Sequence, residues 1–150
     1  MVARKSLKGD YCPSARSLDV IGDWWSLLIV RDAFDGLTRF GEFQKSLGIA
    51  KNILTERLRT LVSSGILELV PTSDGGARME YRLTAVGKDL FPVMVALRQF
   101  GERHLFAPAE EHSLLVDRAT GQPVQLEVRA QDGRLIGPDE ALILKVPEEK

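Results

Sequence analysis

Cysteine is nearly absent from this chain: Cys12 is the only one in 150 residues. No disulfide can therefore form within a chain, and any thiol pairing would join two chains or a small thiol. A reducing compartment is the simplest setting for such a composition. Histidine is almost as scarce, and His104 and His112 stand eight residues apart beside Glu110 and Glu111. That is not the spacing of a metal site, so no metal and no other cofactor is expected. Long apolar runs are missing as well. The run Leu27-Leu28-Ile29-Val30 is far too short to cross a bilayer, and the positively charged start MVARKS leads into no apolar segment. A cytoplasmic protein without a membrane partner is expected. Finally, no nucleophile is paired with a base, and Gly75-Gly76 is followed by no Lys-Ser or Lys-Thr that would make a phosphate loop. An enzyme is not expected.

What is present is ordinary globular material, 44% hydrophobic and 27% charged, in a length that suits one domain with a small appendage. The formal net charge of −1 hides a division. Residues 1–106 hold 15 Lys and Arg against 12 Asp and Glu, a balance of +3, whereas residues 107–150 hold 5 against 9, a balance of −4. The basic and acidic parts are expected to be different structural units.

The first half is patterned for helices. Residues 14–21 place Ala15, Leu18 and Ile21 on one side. Asp23 is suited to cap a second helix, which is apolar on several faces and stops at Gly36. Thr38 is the expected cap of a third helix, in which Phe40, Phe43 and Leu47 form a buried stripe ended by Gly48. Another helix follows almost at once. Its apolar residues Ile49, Ile53, Leu54, Leu58, Leu61 and Val62 leave Asn52, Thr55, Glu56, Arg59 and Ser63 on the other side. Two short helices joined by a tight glycine turn, the second amphipathic with polar side chains outward, predict a helix-turn-helix.

Two short strands are predicted next, over 66–70 and 79–83. The loop PTSDGGAR between them forms a flexible hairpin tip that carries Arg78. The fold class is therefore mainly α with a β-hairpin wing, a winged helix-turn-helix. Thr84 is the expected cap of a long last helix to about residue 105, kinked at Pro92 unless the helix restarts there. Its apolar residues occupy more than one face, which suits a dimer contact. Beyond residue 113, alternation around Val124, Leu126 and Val128, with turn signals at Thr120-Gly121 and Asp132-Gly133, predicts a small C-terminal β element. The expected organisation is an arm over 1–11, a DNA-binding and dimerisation domain over 12–106 and a β-rich extension over 107–150.

The stretch from Cys12 to Val70, followed by EYRLTAVGKDL, closely resembles the HxlR family of winged-helix regulators, relatives of the MarR type. The resemblance covers roughly two thirds of the chain, with its pieces in order. It implies a homodimer in which residues 50–64 enter the major groove of double-stranded DNA. Lys51, Asn52, Thr55, Glu56 and Arg59 would then face the DNA, with Arg78 added from the wing. The chemistry agrees, because Asn and Arg read adenine and guanine edges bidentately while Lys and Thr serve phosphates. Two departures bear on this. Ala50 stands where the family commonly has a capping serine, and Gly76-Ala77-Arg78 replaces a common Pro-Pro-Arg run, keeping the arginine with looser support.

Cys12 occupies the position of an N-terminal cysteine that several family members use to sense oxidants or electrophiles. Beside a helix start, with Lys8 and Arg16 near in sequence, it is a candidate redox sensor; packing as a small hydrophobe is the equal alternative. Trp24 and Trp25 are candidates for lining an effector pocket, although core or interface packing is the commoner use of such residues. The expected function is a sequence-specific transcriptional regulator, a repressor by preference, that responds to redox state or a small-molecule effector. The alternative is a winged-helix adaptor that binds protein and no DNA.

Overall fold

The computed structural model describes residues 5–147. Two compact units are present, Met1–Leu90 together with Lys145–Lys150, and Phe91–Leu144. In the first unit the described residues form α1 (Pro13–Ile21), α2 (Trp24–Phe34), α3 (Phe40–Leu47), α4 (Lys51–Ser63), β1 (Leu67–Pro71), β2 (Met79–Leu83) and α5 (Ala85–Lys88). The second unit begins with α6 (Phe91–His104) and continues into an irregular segment with one 3-10 turn, Pro138–Glu140.

Each helix starts for an identifiable reason. Pro13 opens α1, where its missing N–H would have had no partner and its fixed φ is already helical. Asp23 caps α2: its Oδ1 accepts the Ser26 N–H at 2.8 Å and its Oδ2 the Ser26 hydroxyl at 2.7 Å. The expected Thr38 cap is not found, since α3 has Arg39 as its N-cap, with no side-chain bond. The reason lies in the hairpin, because the Thr38 carbonyl accepts the Tyr81 N–H at 2.7 Å and residue 38 is held against β2. Gly48 ends α3 in the left-handed conformation at φ 61°, a geometry that carries no Cβ penalty for glycine.

The core of the first unit gathers Ile29 and Val30 of α2, Phe43 of α3 and Leu54, Leu58 and Leu61 of α4, all fully buried. At roughly 1.5–3 kcal/mol for each buried aliphatic or aromatic side chain, this cluster is what holds α4 at a fixed orientation. The hairpin is antiparallel, with Leu67 opposite Leu83, Leu69 opposite Tyr81 and Pro71 opposite Met79. Helices α3 and α4, joined through Gly48 to Ala50 and followed by this hairpin, make a winged helix-turn-helix.

Of the two alternatives for the last helix, a kink or a restart at Pro92, the structure has the restart, as two helices. Thr84 caps only the short α5, accepting the Gly87 N–H at 3.0 Å, and the chain breaks at Asp89 and Leu90 before α6 restarts with Pro92 in its first turn. The same threonine hydroxyl donates to the Gly65 carbonyl, and its N–H donates to the Ile66 carbonyl at 3.1 Å. The end of α4 is thereby tied to the start of α5.

In the second unit Val95 is buried, Arg98 donates to Ser113 Oγ at 3.0 Å and to its carbonyl at 2.8 Å, and Gln99 donates to the Val124 carbonyl. The predicted β element is reduced to two isolated bridges, Val116 with Pro123 and Arg129 with Leu135. A ladder cannot extend through Pro123, which has no N–H to donate. No helix among the described residues is long and apolar enough to cross a membrane.

Candidate nucleic-acid interface

Helix α4 is divided lengthwise. Leu54, Leu58 and Leu61 point into the core, while Lys51, Asn52, Thr55, Glu56 and Arg59 are all exposed and line one open depression. At 100° per residue these five fall within an arc of about 140°. The structure thus brings together the five residues of α4 expected to face DNA, whereas Ser63, expected on the same side, donates its hydroxyl to the Thr60 carbonyl at 3.0 Å. Their chemistry differs in detail. The Thr55 hydroxyl donates to the Lys51 carbonyl at 2.8 Å, leaving its oxygen lone pairs and methyl group outward. Ala50 provides no side-chain bond to the first turn, so the opening N–H groups of α4 are left for an outside acceptor.

The charged side chains fall into two sets. Arg31, Arg39, Arg57, Arg82 and Arg98 are each ion-paired within the chain, to Asp32, Glu42, Asp23, Glu80 and Glu102. Arg59 and Arg78, like Lys51, Lys88, Arg103 and Arg118, form no ion pair among the described residues, and both are exposed. Cations without a carboxylate on the protein are available to phosphates or base edges.

Arg78 lies at the foot of the wing, and the loop before it is better supported than Gly75-Gly76 suggests. The Thr72 hydroxyl donates to Asp74 Oδ1 at 2.5 Å, the Gly76 N–H donates to the same oxygen at 3.0 Å, and the Thr72 N–H donates to the Arg78 carbonyl at 3.0 Å. The Thr72 hydroxyl, then the Gly76 N–H, and further out the charge of Arg39, hold the Asp74 carboxyl below its ordinary value.

The sequence reading missed Arg57. It sits on the inward side of α4, at 3.4 Å from Asp23 Oδ1, and so links the recognition helix to the cap of α2. The signal was available: an arginine on the buried arc of an amphipathic helix requires a carboxylate opposite, and Asp23 was already singled out as a cap. Asp32 was missed too. It is buried within the apolar α2, with Oδ1 taking both Arg31 Nε at 3.0 Å and Nη2 at 2.8 Å.

Cys12 is exposed as the N-cap residue of α1; its N–H donates to Asp10 Oδ1 at 2.8 Å. Arg16 turns to the Asp10 carbonyl at 2.5 Å. Trp24 is 71% exposed and meets Trp25 edge-on, with ring centroids 5.7 Å apart. Among the described residues no group of His, Cys, Asp and Glu could hold a metal ion.

A tight helix–turn–helix with an exposed polar second helix, followed by a hairpin carrying an exposed arginine, defines the winged helix-turn-helix class. Within it, the chain belongs to the HxlR-like helix-turn-helix family, which it matches over residues 20–108. It is 46% identical over 93 residues to the HTH-type transcriptional regulator Rv3095 of Mycobacterium tuberculosis, a match that covers 62% of this chain. The matched part spans 59% of that relative's length. Among solved structures it is similar to PA1607, a transcription-factor candidate, at 57% identity and a TM-score of 0.88 over 92% of this chain and 97% of the other. It is also similar to the redox regulator HypR in its reduced form, at 32% identity and a TM-score of 0.58 over 63% of this chain and 94% of the other.

Proposed function

We propose that the protein is a sequence-specific DNA-binding repressor that acts in the cytoplasm as a homodimer. The observation that carries this reading is the outward side of α4: five polar side chains on the second helix of the helix-turn-helix, none buried, with Arg59 unpaired. Arg59 and Asn52 read base edges, Glu56 accepts from an exposed cytosine amino group, Thr55 offers its methyl and an acceptor, and Lys51 takes a phosphate. Arg78 adds a backbone contact from the wing, kept in place by the Thr72–Asp74 bonds.

Dimerisation supplies a second α4 and suits the apolar side chains that α6 leaves in solvent. The domain organisation we favour keeps DNA reading and dimer contacts within residues 12–106, with the acidic 107–150 as an accessory segment. Regulation falls to Cys12, whose exposure permits reaction with an oxidant or with a thiol of another chain, as the likeness to the redox regulator HypR suggests. A small-molecule effector resting against Trp24 and Trp25 is the second regulatory reading, favoured by the exposure of Trp24.

The test is binding of the purified chain to a duplex from its own upstream region against a random duplex, with and without a thiol oxidant, repeated with Cys12→Ser. The expected result is preference for the upstream duplex, weakened by oxidant in the wild type and unaffected in Cys12→Ser. Equal oxidant sensitivity in Cys12→Ser removes the cysteine as the switch. Absence of any duplex binding, specific or random, leaves the adaptor.

A further inference from the structure

Tyr81 joins the wing to the helix-turn-helix in two ways. Its main-chain N–H donates to the Thr38 carbonyl at 2.7 Å, in the link that leads into α3. Its ring meets the fully buried Phe43 of α3 edge-on, with centroids 6.4 Å apart and planes at 80°. Because that N–H goes to Thr38 and not to Leu69 opposite, it lies on the edge of β2 away from β1, and the bond takes nothing from the hairpin's own ladder. Phe43 shares the core with Leu54, Leu58 and Leu61 of α4. The ring thus ties β2 to the cluster that orients the outward side of α4.

Burial falls away along the same face of the hairpin. Leu67 at its foot is 1% exposed and Tyr81 is half-buried, whereas Leu69 and Met79 are 42 and 44% exposed. Tyr81 is therefore the outermost side chain on this face that is not open to solvent, and the hairpin projects freely beyond it. The Thr72–Asp74–Gly76 bonds shape the loop at the tip, but they lie within the hairpin and do not fix its direction. Arg78 stands three residues before Tyr81, just outside β2. At ~3.3 Å per residue the two are about 10 Å apart, so a tilt of about 15° at Tyr81 carries Arg78 roughly 2.5 Å. A charge-assisted contact of about 2.7–2.9 Å to a phosphate does not survive such a shift.

We propose that Tyr81 is a positioning residue for DNA binding: it sets the angle of the wing on α3 and so brings Arg78 to the phosphate backbone. The inference rests on the DNA-binding reading above and names the side chain through which wing and recognition helix engage one duplex together. Tyr81 itself touches no DNA; it acts through Arg78.

Salt titrations of binding to the upstream duplex and to a random one test this, comparing the wild type with Arg78→Ala, Tyr81→Ala, Tyr81→Phe and the Arg78→Ala/Tyr81→Ala double variant. Tyr81→Phe keeps the ring against Phe43 and is expected to bind as the wild type does. Tyr81→Ala is expected to flatten the slope of log K against log salt by about 2 for a pair of chains, as Arg78→Ala does, since one phosphate contact is lost from each. The double variant is expected to bind no more weakly than either single one, because the second substitution removes a contact already lost. A loss of stability alone lowers the competent fraction of protein and leaves the slope unchanged, so the slope separates positioning from packing. If a circular dichroism melt shows Tyr81→Ala unfolded at the assay temperature, Tyr81→Leu, which fills the strand position without an aromatic edge, takes its place with the same expectations. Weaker binding at the wild-type slope, or losses that add in the double variant, overturns the positioning role and leaves DNA binding standing. An Arg78→Ala variant with the wild-type slope also overturns it, since the wing then has no phosphate contact to position. A wild type that binds no duplex overturns the DNA-binding reading, and the role of Tyr81 with it.

Discussion

Arg59 and Arg57 stand two residues apart on one helix and have opposite assignments, because one faces solvent without a carboxylate and the other faces Asp23. On the proposed role, Arg59→Ala costs about 1–3 kcal/mol on the cognate site and relaxes preference at one base position. Fluorescence anisotropy against single-base variants of the site measures both. Arg57→Ala acts on the fold instead: it leaves base preference intact and lowers the urea midpoint, since Asp23 loses a partly buried partner. Gly87 makes a different demand. A Cβ there would stand 2.1 Å from the Ile66 carbonyl oxygen, so no side chain fits unless α5 retreats from the end of α4. Gly87→Ala is expected to destabilise by about 1–3 kcal/mol, the range for forcing extra atoms into a packed site, read from the shift of the denaturation midpoint.

Among the elements, α2, α4 and the hairpin were legible in the sequence because each carries its own boundary signal: the Asp23 cap, Gly48 and Gly65 in turn conformations, and the alternation of Met79, Tyr81 and Leu83. Three features were not legible, and each depends on an interaction that local pattern does not reveal. Thr38 is diverted from capping by Tyr81, forty-three residues later. Pro92 marked a restart as one alternative, but the place of the break at Asp89 and Leu90 depends on Thr84 and Gly87 binding to the end of α4, which helical periodicity does not report. The wing looked loose from Gly75-Gly76, yet Thr72 and Asp74 tie it down. Because the Asp74 carboxyl is held low by bonds that favour its charged form, the support it gives the wing is present above the ordinary carboxylate value of ~3.9 and is lost as pH falls through its lowered value. The Gly76 amide resonance, which reports that bond, is expected to titrate below ordinary carboxylate pH; a midpoint at or above ~3.9 contradicts the Asx-type support.

At the scale of the molecule, a chain of net charge −1 is a poor polyanion ligand on average, so affinity for DNA must come from a local face. Lys51 and Arg78 from each of two protomers would neutralise about four phosphates, which predicts a slope of roughly −4 in log K against log salt. Replacing Arg78 by Ala is expected to weaken all duplexes alike and to flatten that slope, by about 1 for each phosphate that is no longer neutralised. The division between basic and acidic parts at residue 106 was visible in composition, whereas the compact units divide at Leu90 and Phe91. The central claim is that the outward side of α4 reads base pairs, and selection from a pool of random duplexes tests it most directly because no operator need be known beforehand. The wild type is expected to enrich a motif with two-fold symmetry, and Arg59→Ala to lose preference at one symmetry-related position of it. An enriched motif unchanged by Arg59→Ala, or no enrichment by the wild type at any salt concentration, contradicts it.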